Sequence, residues 1–146
     1  MIGLIQRVSS ASVVVDNKTI GSIDAGILLF LGVEKEDTSQ QAEKLLDKII
    51  NYRIFEDTAG KMNLSLLDVA GELLIISQFT LVADTKKGLR PSFSSAASPE
   101  LGKQLYDRFV DLAKQKLNTV QTGEFGADMQ VKLINSGPTT FCLQVN

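Results

Sequence analysis

A chain of 146 residues, 44% hydrophobic and 22% charged, fits one ordinary folded domain that buries about two thirds of its unfolded surface, which excludes disorder. One cysteine, Cys142, excludes an intramolecular disulfide. The lack of any histidine excludes Ser-His-Asp and Cys-His catalysis and removes the commonest zinc ligand, and a net charge of −2 works against broad binding along a nucleic acid.

In chain order, residues 2–8 and then 11–15 are β-branched and read as strands, and Asp16-Asn17-Lys18 supplies turn chemistry for a hairpin into TIGSI. Arg7 follows a short apolar run, the reverse of a secretory signal. No apolar stretch approaches the roughly 20 residues of a membrane span, so a cytoplasmic protein is expected. Residues 27–33 (ILLFLGV) form a continuous apolar run, the pattern of a strand covered on both faces. From Thr38 or Ser39 as N-cap, Ala42, Leu45, Leu46, Ile49 and Ile50 recur at helical spacing. Arg53-Ile54-Phe55 reads as a short strand, residues 57–61 as a turn and Leu73–Ser77 as a second buried strand.

Between Ala83 and Ser98 the pattern dissolves into a loop of about fifteen residues, a length that in compact domains signals function or disorder. Ser98-Pro99-Glu100 then opens a helix whose apolar stripe is Leu101, Leu105, Phe109, Leu112, Ala113 and Leu117. Residues 129–134 and 141–145 alternate as two half-buried strands joined by a tight connection at Asn135-Ser136-Gly137-Pro138. Nothing divides the chain, so residues 1–146 make a single α/β domain with seven or eight strands and two main helices. The helices cover one sheet face, and either a second sheet layer or a partner subunit covers the other. Cys142 reads as a small buried residue.

Three places can carry chemistry. Ser77-Gln78-Phe79-Thr80-Leu81 puts hydroxyl and amide groups at the end of an apolar strand; the bland alternative is a polar strand end that satisfies its own backbone. Asn135–Thr140 carries Gly-Pro between strands, where a hairpin turn is the plain alternative and cis proline runs against a frequency of about 5–6%. The third is the loop holding Lys86, Lys87, Arg90 and Phe93, the only dense positive cluster, which either grips a phosphate or is a solvated surface. Phe125, between two glycines in a loop, can stack on a base, the bland alternative being a core aromatic.

These segments resemble the bacterial D-aminoacyl-tRNA deacylase family (also called D-tyrosyl-tRNA deacylase) from Met1 to the C-terminus. The likeness rests on residues 5–8 (IQRV), 31–33 (LGV), 52–55 (YRIF), 60–63 (GKMN), 77–81 (SQFTL), 90–93 (RPSF), 122–123, 127–129 and 135–139 (NSGPT). It implies a three-layer α/β/β homodimer with shared active sites, in which a cis Gly137-Pro138 peptide enters the partner's site and Arg7 braces it. Ser77, Gln78, Phe79 and Thr80 would then form the pocket floor. The implied substrate is the 3′ aminoacyl end of tRNA, with no cofactor or metal and with neither membrane nor DNA as a partner.

An activated ester is chemically easy to cleave without histidine. The resemblance implies that backbone N–H groups near Phe79 and Thr80 would stabilise the oxyanion while a positioned water attacks; Thr80 Oγ as nucleophile lacks a visible base. Main-chain carbonyls of Gly137 and Pro138 aimed at the α-carbon would exclude an L side chain, leaving many D-amino acids, and glycine on a non-cognate tRNA, as substrates. Phe125 and Met129 would hold the terminal adenine, and Lys86, Lys87 or Arg90 the phosphates. The rivals are a non-catalytic ligand-binding or dimerisation module and a metal hydrolase built on Glu34, Glu36 and Asp37.

Overall fold

The β-branched N-terminal stretch runs without a break: β1 spans Ile2–Val15 as one 14-residue strand, not two. The computed structural model describes residues 1–146. Asp16 (φ 49°) and Asn17 (φ 62°) adopt the left-handed conformations that a two-residue hairpin turn requires, and Val15 pairs with Lys18 at the start of β2 (Lys18–Ile23). β3 (Gly26–Gly32) lies antiparallel to the first half of β1, from Ile2 opposite Gly32 to Val8 opposite Gly26.

Thr38 caps α1 (Ser39–Ile50) in a full capping box with Gln41, and all five residues of the expected stripe are buried. A small hairpin of β4 (Phe55–Glu56) and β5 (Met62–Leu64) follows, the strand falling slightly later than expected. β6 (Glu72–Ser77) then pairs parallel to β3 and ends in a 3-10 turn over Phe79–Val82. Ser98 caps α2 (Pro99–Lys116), with its hydroxyl accepting from the Leu101 N–H and proline at the first turn. β7 (Val120–Thr122), too short for periodicity to reveal, adds parallel to β6.

The final segment corrects the expected pair of strands. β8 (Gln130–Gln144) is a single strand, and both its halves pair with β1 rather than with each other. Gln6 faces Thr140 and Val8 faces Asn135, so Ser136–Thr139 bulge opposite Arg7 alone. Gly137-Pro138 is cis.

The main sheet runs β2-β1-β3-β6-β7, with β8 on the far edge of β1. Its helix face packs Ile5, Ile27, Leu29, Leu73 and Ile75 against Leu45, Leu46, Ile49 and Phe109. Its other face packs Leu28, Leu74 and Ile76 against Val13, Ile23 and the half-buried Val131 and Leu133. The second cover therefore comes from the chain itself: the long strands β1 and β8 curl over, and β2 returns across β6 and β7, close enough that a Cβ on Gly21 would sit 2.7 Å from the Thr122 carbonyl. The result is a mixed sheet nearly closed into a barrel, with helices on one side. No helix is long and apolar enough to cross a membrane. Cys142 is exposed rather than buried, because Phe141 and Leu143 take the inward positions of β8 and nothing covers its outward ones.

At Gly26, where β3 begins to pair with β6, a Cβ would overlap the backbone of Glu72. Gly26→Ala is expected to lose at least about 3 kcal/mol through overpacking that rigid backbone cannot relieve. Gly60→Ala, left-handed (φ 72°) but in open space, should lose only about 1–2 kcal/mol. Urea midpoints at equal m-values compare them; equal losses would contradict the close approach.

Candidate active site

Two buried parallel strands, β3 and β6, end together at the pair Leu31 and Ser77, and the carboxyl ends of parallel strands are where open α/β sheets leave a crevice. Here the crevice is an apolar cleft of about 520 Å³. Ser77, Gln78 and Phe79 line one side, Pro99, Gly102 and Tyr106 of α2 another, and Phe125 and Met129 a third. The structure thus brings together five of the residues expected from sequence. Thr80 stands beside them, exposed and outside the lining.

The chain turns sharply after Ser77. Gln78 N–H still donates to the Leu31 carbonyl (2.8 Å) and Leu81 N–H reaches back to Gln78 O (3.2 Å), but the N–H groups of Phe79 and Thr80 donate to no protein acceptor. Two adjacent free donors at a cleft mouth are a ready site for negative charge that develops on an oxygen. The Thr80 hydroxyl has one side-chain partner, the Gln78 amide, which donates to it. An amide cannot take up a proton at neutral pH, so this contact holds the hydroxyl without activating it.

Phe79 is 64% exposed, and its ring meets Phe93 at 5.2 Å. Phe93 belongs to the long loop, which is tied at its base: Asp84 and Ser92 exchange two backbone hydrogen bonds, and Ala97 N–H donates to Val33 O. Lys86, Lys87 and Arg90 therefore ride on an anchored loop at the cleft rim, exposed and in no ion pair.

Arg7, Gly137 and Pro138 lie elsewhere. Ser77 pairs with Leu31, Leu31 with Gly3, and the bulge faces Arg7, four residues further along β1. Three strand spacings across and four residues along put the two places about 20 Å apart along the sheet of one chain. Gly137 and Pro138 are exposed, while Arg7 is 8% exposed beneath them. Its guanidinium donates to Ile54 O (2.6 Å) and Ser136 O (3.2 Å). A Cβ on Gly137 (φ 117°) would collide with that guanidinium.

The Ile54 carbonyl is held by the hairpin beside it. Arg53 donates to the Asn63 carbonyl (2.7 Å) and to its side-chain oxygen, and the Asn63 amide donates to Asp57 (3.2 Å). Sequence patterning reads Arg53 as strand and names Asn63 only within the resemblance, so their bond across the hairpin is not legible there, and Gly102 and Tyr106 escape it because neither falls on the α2 stripe. Of the three carboxylates weighed as metal ligands, Glu34 and Asp37 hold the buried Met1 ammonium at 2.9 and 2.7 Å.

A family model described as D-Tyr-tRNA(Tyr) deacylase matches residues 4–144. A D-aminoacyl-tRNA deacylase of Hahella chejuensis is 64% identical over 145 residues, covering 99% of both chains. One from Shewanella baltica is 61% identical, covering 99% of this chain and 100% of its own. Among solved structures, the c-Myc DNA unwinding element binding protein superposes with TM-score 0.95 at 38% identity, over 100% of this chain and 99% of that one. A probable eukaryotic D-amino acid tRNA deacylase superposes with TM-score 0.84 at 17% identity, over 97% and 98%, a likeness of fold alone.

The hairpin beneath Arg7 carries a pH signature. The Lys61 N–H first, then the Ala59 N–H and the Asn63 amide, hold the Asp57 carboxyl below its ordinary value of 3.8. A depressed folded value means stability that is present above the unfolded value and lost as pH falls through the folded one, from about pH 4 downward. Urea midpoints from pH 6 to pH 2 should show the gap between wild type and Asp57→Asn narrowing over that acid range. A constant gap would remove the charge from the brace.

Proposed function

The chain belongs to the D-Tyr-tRNA(Tyr) deacylase family, and on that premise we propose that it hydrolyses the ester of D-aminoacyl-tRNA at a site completed by a second copy of itself. The observation that carries the mechanism is the pair of unpartnered N–H groups at Phe79 and Thr80, at the mouth of a cleft with room for a terminal nucleoside.

Water attacks the ester carbonyl carbon, and negative charge moves onto its oxygen, where the two N–H groups receive it. Each such donor contributes about 2.7–4 kcal/mol to the transition state. The carbon–oxygen bond to the ribose then breaks. The leaving 3′ oxygen takes a proton that the attacking water gives up, with the neighbouring ribose hydroxyl placed to pass it on. Free D-amino acid and tRNA result. Ser77 and Gln78 shape the floor, Phe125 and Met129 wall the terminal adenine, and Lys86, Lys87 and Arg90 meet the backbone phosphates.

Stereoselection in this reading comes from Gly137 and Pro138 of the second copy. The separation of about 20 Å along the sheet of one chain supports that assignment, since it keeps the bulge of a chain away from the cleft of the same chain. Main-chain carbonyls there meet an L side chain and leave a D side chain, or glycine, untouched. A binding module without catalysis is the rival. The name of one relative refers to DNA binding; a net charge of −2 opposes the phosphate-driven term on which duplex binding rests.

Purified protein should release amino acid from D-Tyr-tRNA and not from L-Tyr-tRNA; release from neither favours the module, and release from both removes the stereochemical role. Phe79→Pro chains should be inactive, and Gly137→Val chains should hydrolyse L- as well as D-Tyr-tRNA. Refolded together in equal amounts, half of the Gly137→Val clefts face an intact bulge, so release from L-Tyr-tRNA per Gly137→Val chain should fall by about half. No fall would place the whole site in one chain. Replacing Lys86, Lys87 and Arg90 by glutamine should flatten the slope of log KM against log salt by about two, whereas an unchanged slope would clear the loop of phosphate contact.

A further inference from the structure

Tyr106 is placed where three parts of the cleft meet. Its hydroxyl donates to the Ile75 carbonyl at 2.9 Å, in a buried position, and the same oxygen accepts the Gly123 N–H at 3.0 Å. Ile75 stands two residues before Ser77, on the strand that delivers the floor. Gly123 begins the loop that carries Phe125. The Tyr106 ring faces Phe125 at 5.8 Å and 49°, beside Gly102, whose missing side chain leaves the Phe125 edge 3.4 Å from where a Cβ would be. On its other side the loop backbone rests on Met129: a Cβ on Gly123 would stand 2.6 Å from its sulfur.

We propose that Tyr106 is a positioning residue for the terminal nucleoside, fixing the Phe125–Met129 wall against the Ser77–Phe79 floor through the doubly bonded Ile75 carbonyl. This rests on the reading of that wall as the base-binding side of the site. The geometry supports it because one oxygen sets the spacing of both surfaces. Without the phenol, Ile75 O keeps its Gly123 bond but α2 loses its tether to it, and the Phe125 ring loses the fixed partner on which it leans. Burial pushes the Tyr106 phenol up from its ordinary value, so it remains a donor throughout the working pH range.

The role predicts an effect on binding rather than on chemistry or handedness. Tyr106→Phe keeps the ring and removes one hydrogen bond, which should raise KM for D-Tyr-tRNA about fivefold. The value of kcat should stay within about twofold, and the ratio of D to L hydrolysis should not change. Phe125→Ala, measured alongside, tests the wall itself and should also raise KM. If Phe125→Ala raises KM while Tyr106→Phe leaves it unchanged, the tether is overturned and the wall reading stands. If Phe125→Ala leaves KM unchanged, the wall reading fails and takes the tether with it. A Tyr106→Phe protein that loses kcat or D/L discrimination in step with its melting temperature would show a merely structural tyrosine.

Discussion

The rest of the molecule depends on β1 being hydrogen-bonded along both edges. Over its fourteen residues it meets β3 and then β2 on one side and β8 on the other. A strand that long cannot remain flat under the right-handed twist of each pairing, so its far half curls over the sheet and takes β8 with it. That curling buries the second face of β3 and β6, which explains why both strands are apolar on both sides. The largest register mismatch it leaves is the four-residue bulge of β8 opposite Arg7, beside a second, one-residue shift at Ser9. An arginine at that bulge is tolerated because its donors reach two carbonyls, Ser136 O on the bulge and Ile54 O beneath it.

The opposite end of the sheet obeys a different constraint. β3 and β6 are parallel, so they stop together, and the chain leaving β6 has to turn without a neighbouring strand to satisfy it. The 3-10 turn recovers the Leu81 and Ala83 N–H groups and leaves those of Phe79 and Thr80 without a protein acceptor. The apolar lining is what gives such donors their strength, since a low-dielectric wall leaves charge on an oxygen with few other partners. Bulge and turn are thus consequences of one sheet, formed at opposite ends of it by unlike pairings.

Much of this was legible in the sequence wherever a pattern was long. The five-residue stripe of α1, the Ser-Pro-Glu opening of α2 and the ILLFLGV run all sit as their periodicity requires, because burial of an entire face outweighs local alternatives. Legibility failed where a short segment took its conformation from a distant partner. Residues 130–144 read as two strands because Gly-Pro interrupts the alternation; β1, more than a hundred residues earlier, holds both halves in one strand. β7 has three residues and exists only because β6 offers an edge. Cys142 was placed on a strand correctly and inside it wrongly, since alternation tells which residues share a face but not which face is covered. In the cleft, Ser77–Phe79 are legible as polar groups at the end of an apolar strand and Phe125 as an aromatic between glycines, and the resemblance adds Met129, whereas Tyr106 lies off the α2 stripe and nothing in its spacing marks it.

The absence of histidine, which first reads as a deficiency, is consistent with how little chemistry the proposed site performs. An ester is already poised for hydrolysis, so stabilising its oxyanion and excluding the wrong hand together suffice, and main-chain groups can do both. Backbone N–H and C=O groups do not titrate, and their directions are fixed by the fold rather than by rotamers. A selector made of carbonyls therefore cannot swing aside for an L substrate as a side chain would. In the proposed reading its rigidity comes from beneath, where Arg7 ties Ser136 O to Ile54 O, next in the chain to the Arg53–Asn63–Asp57 network. Since the bulge and the donors arise about 20 Å apart in one sheet, a site that needs both has to be assembled from two copies. The symmetry that follows in the proposed reading is a geometric consequence of where β8 breaks register.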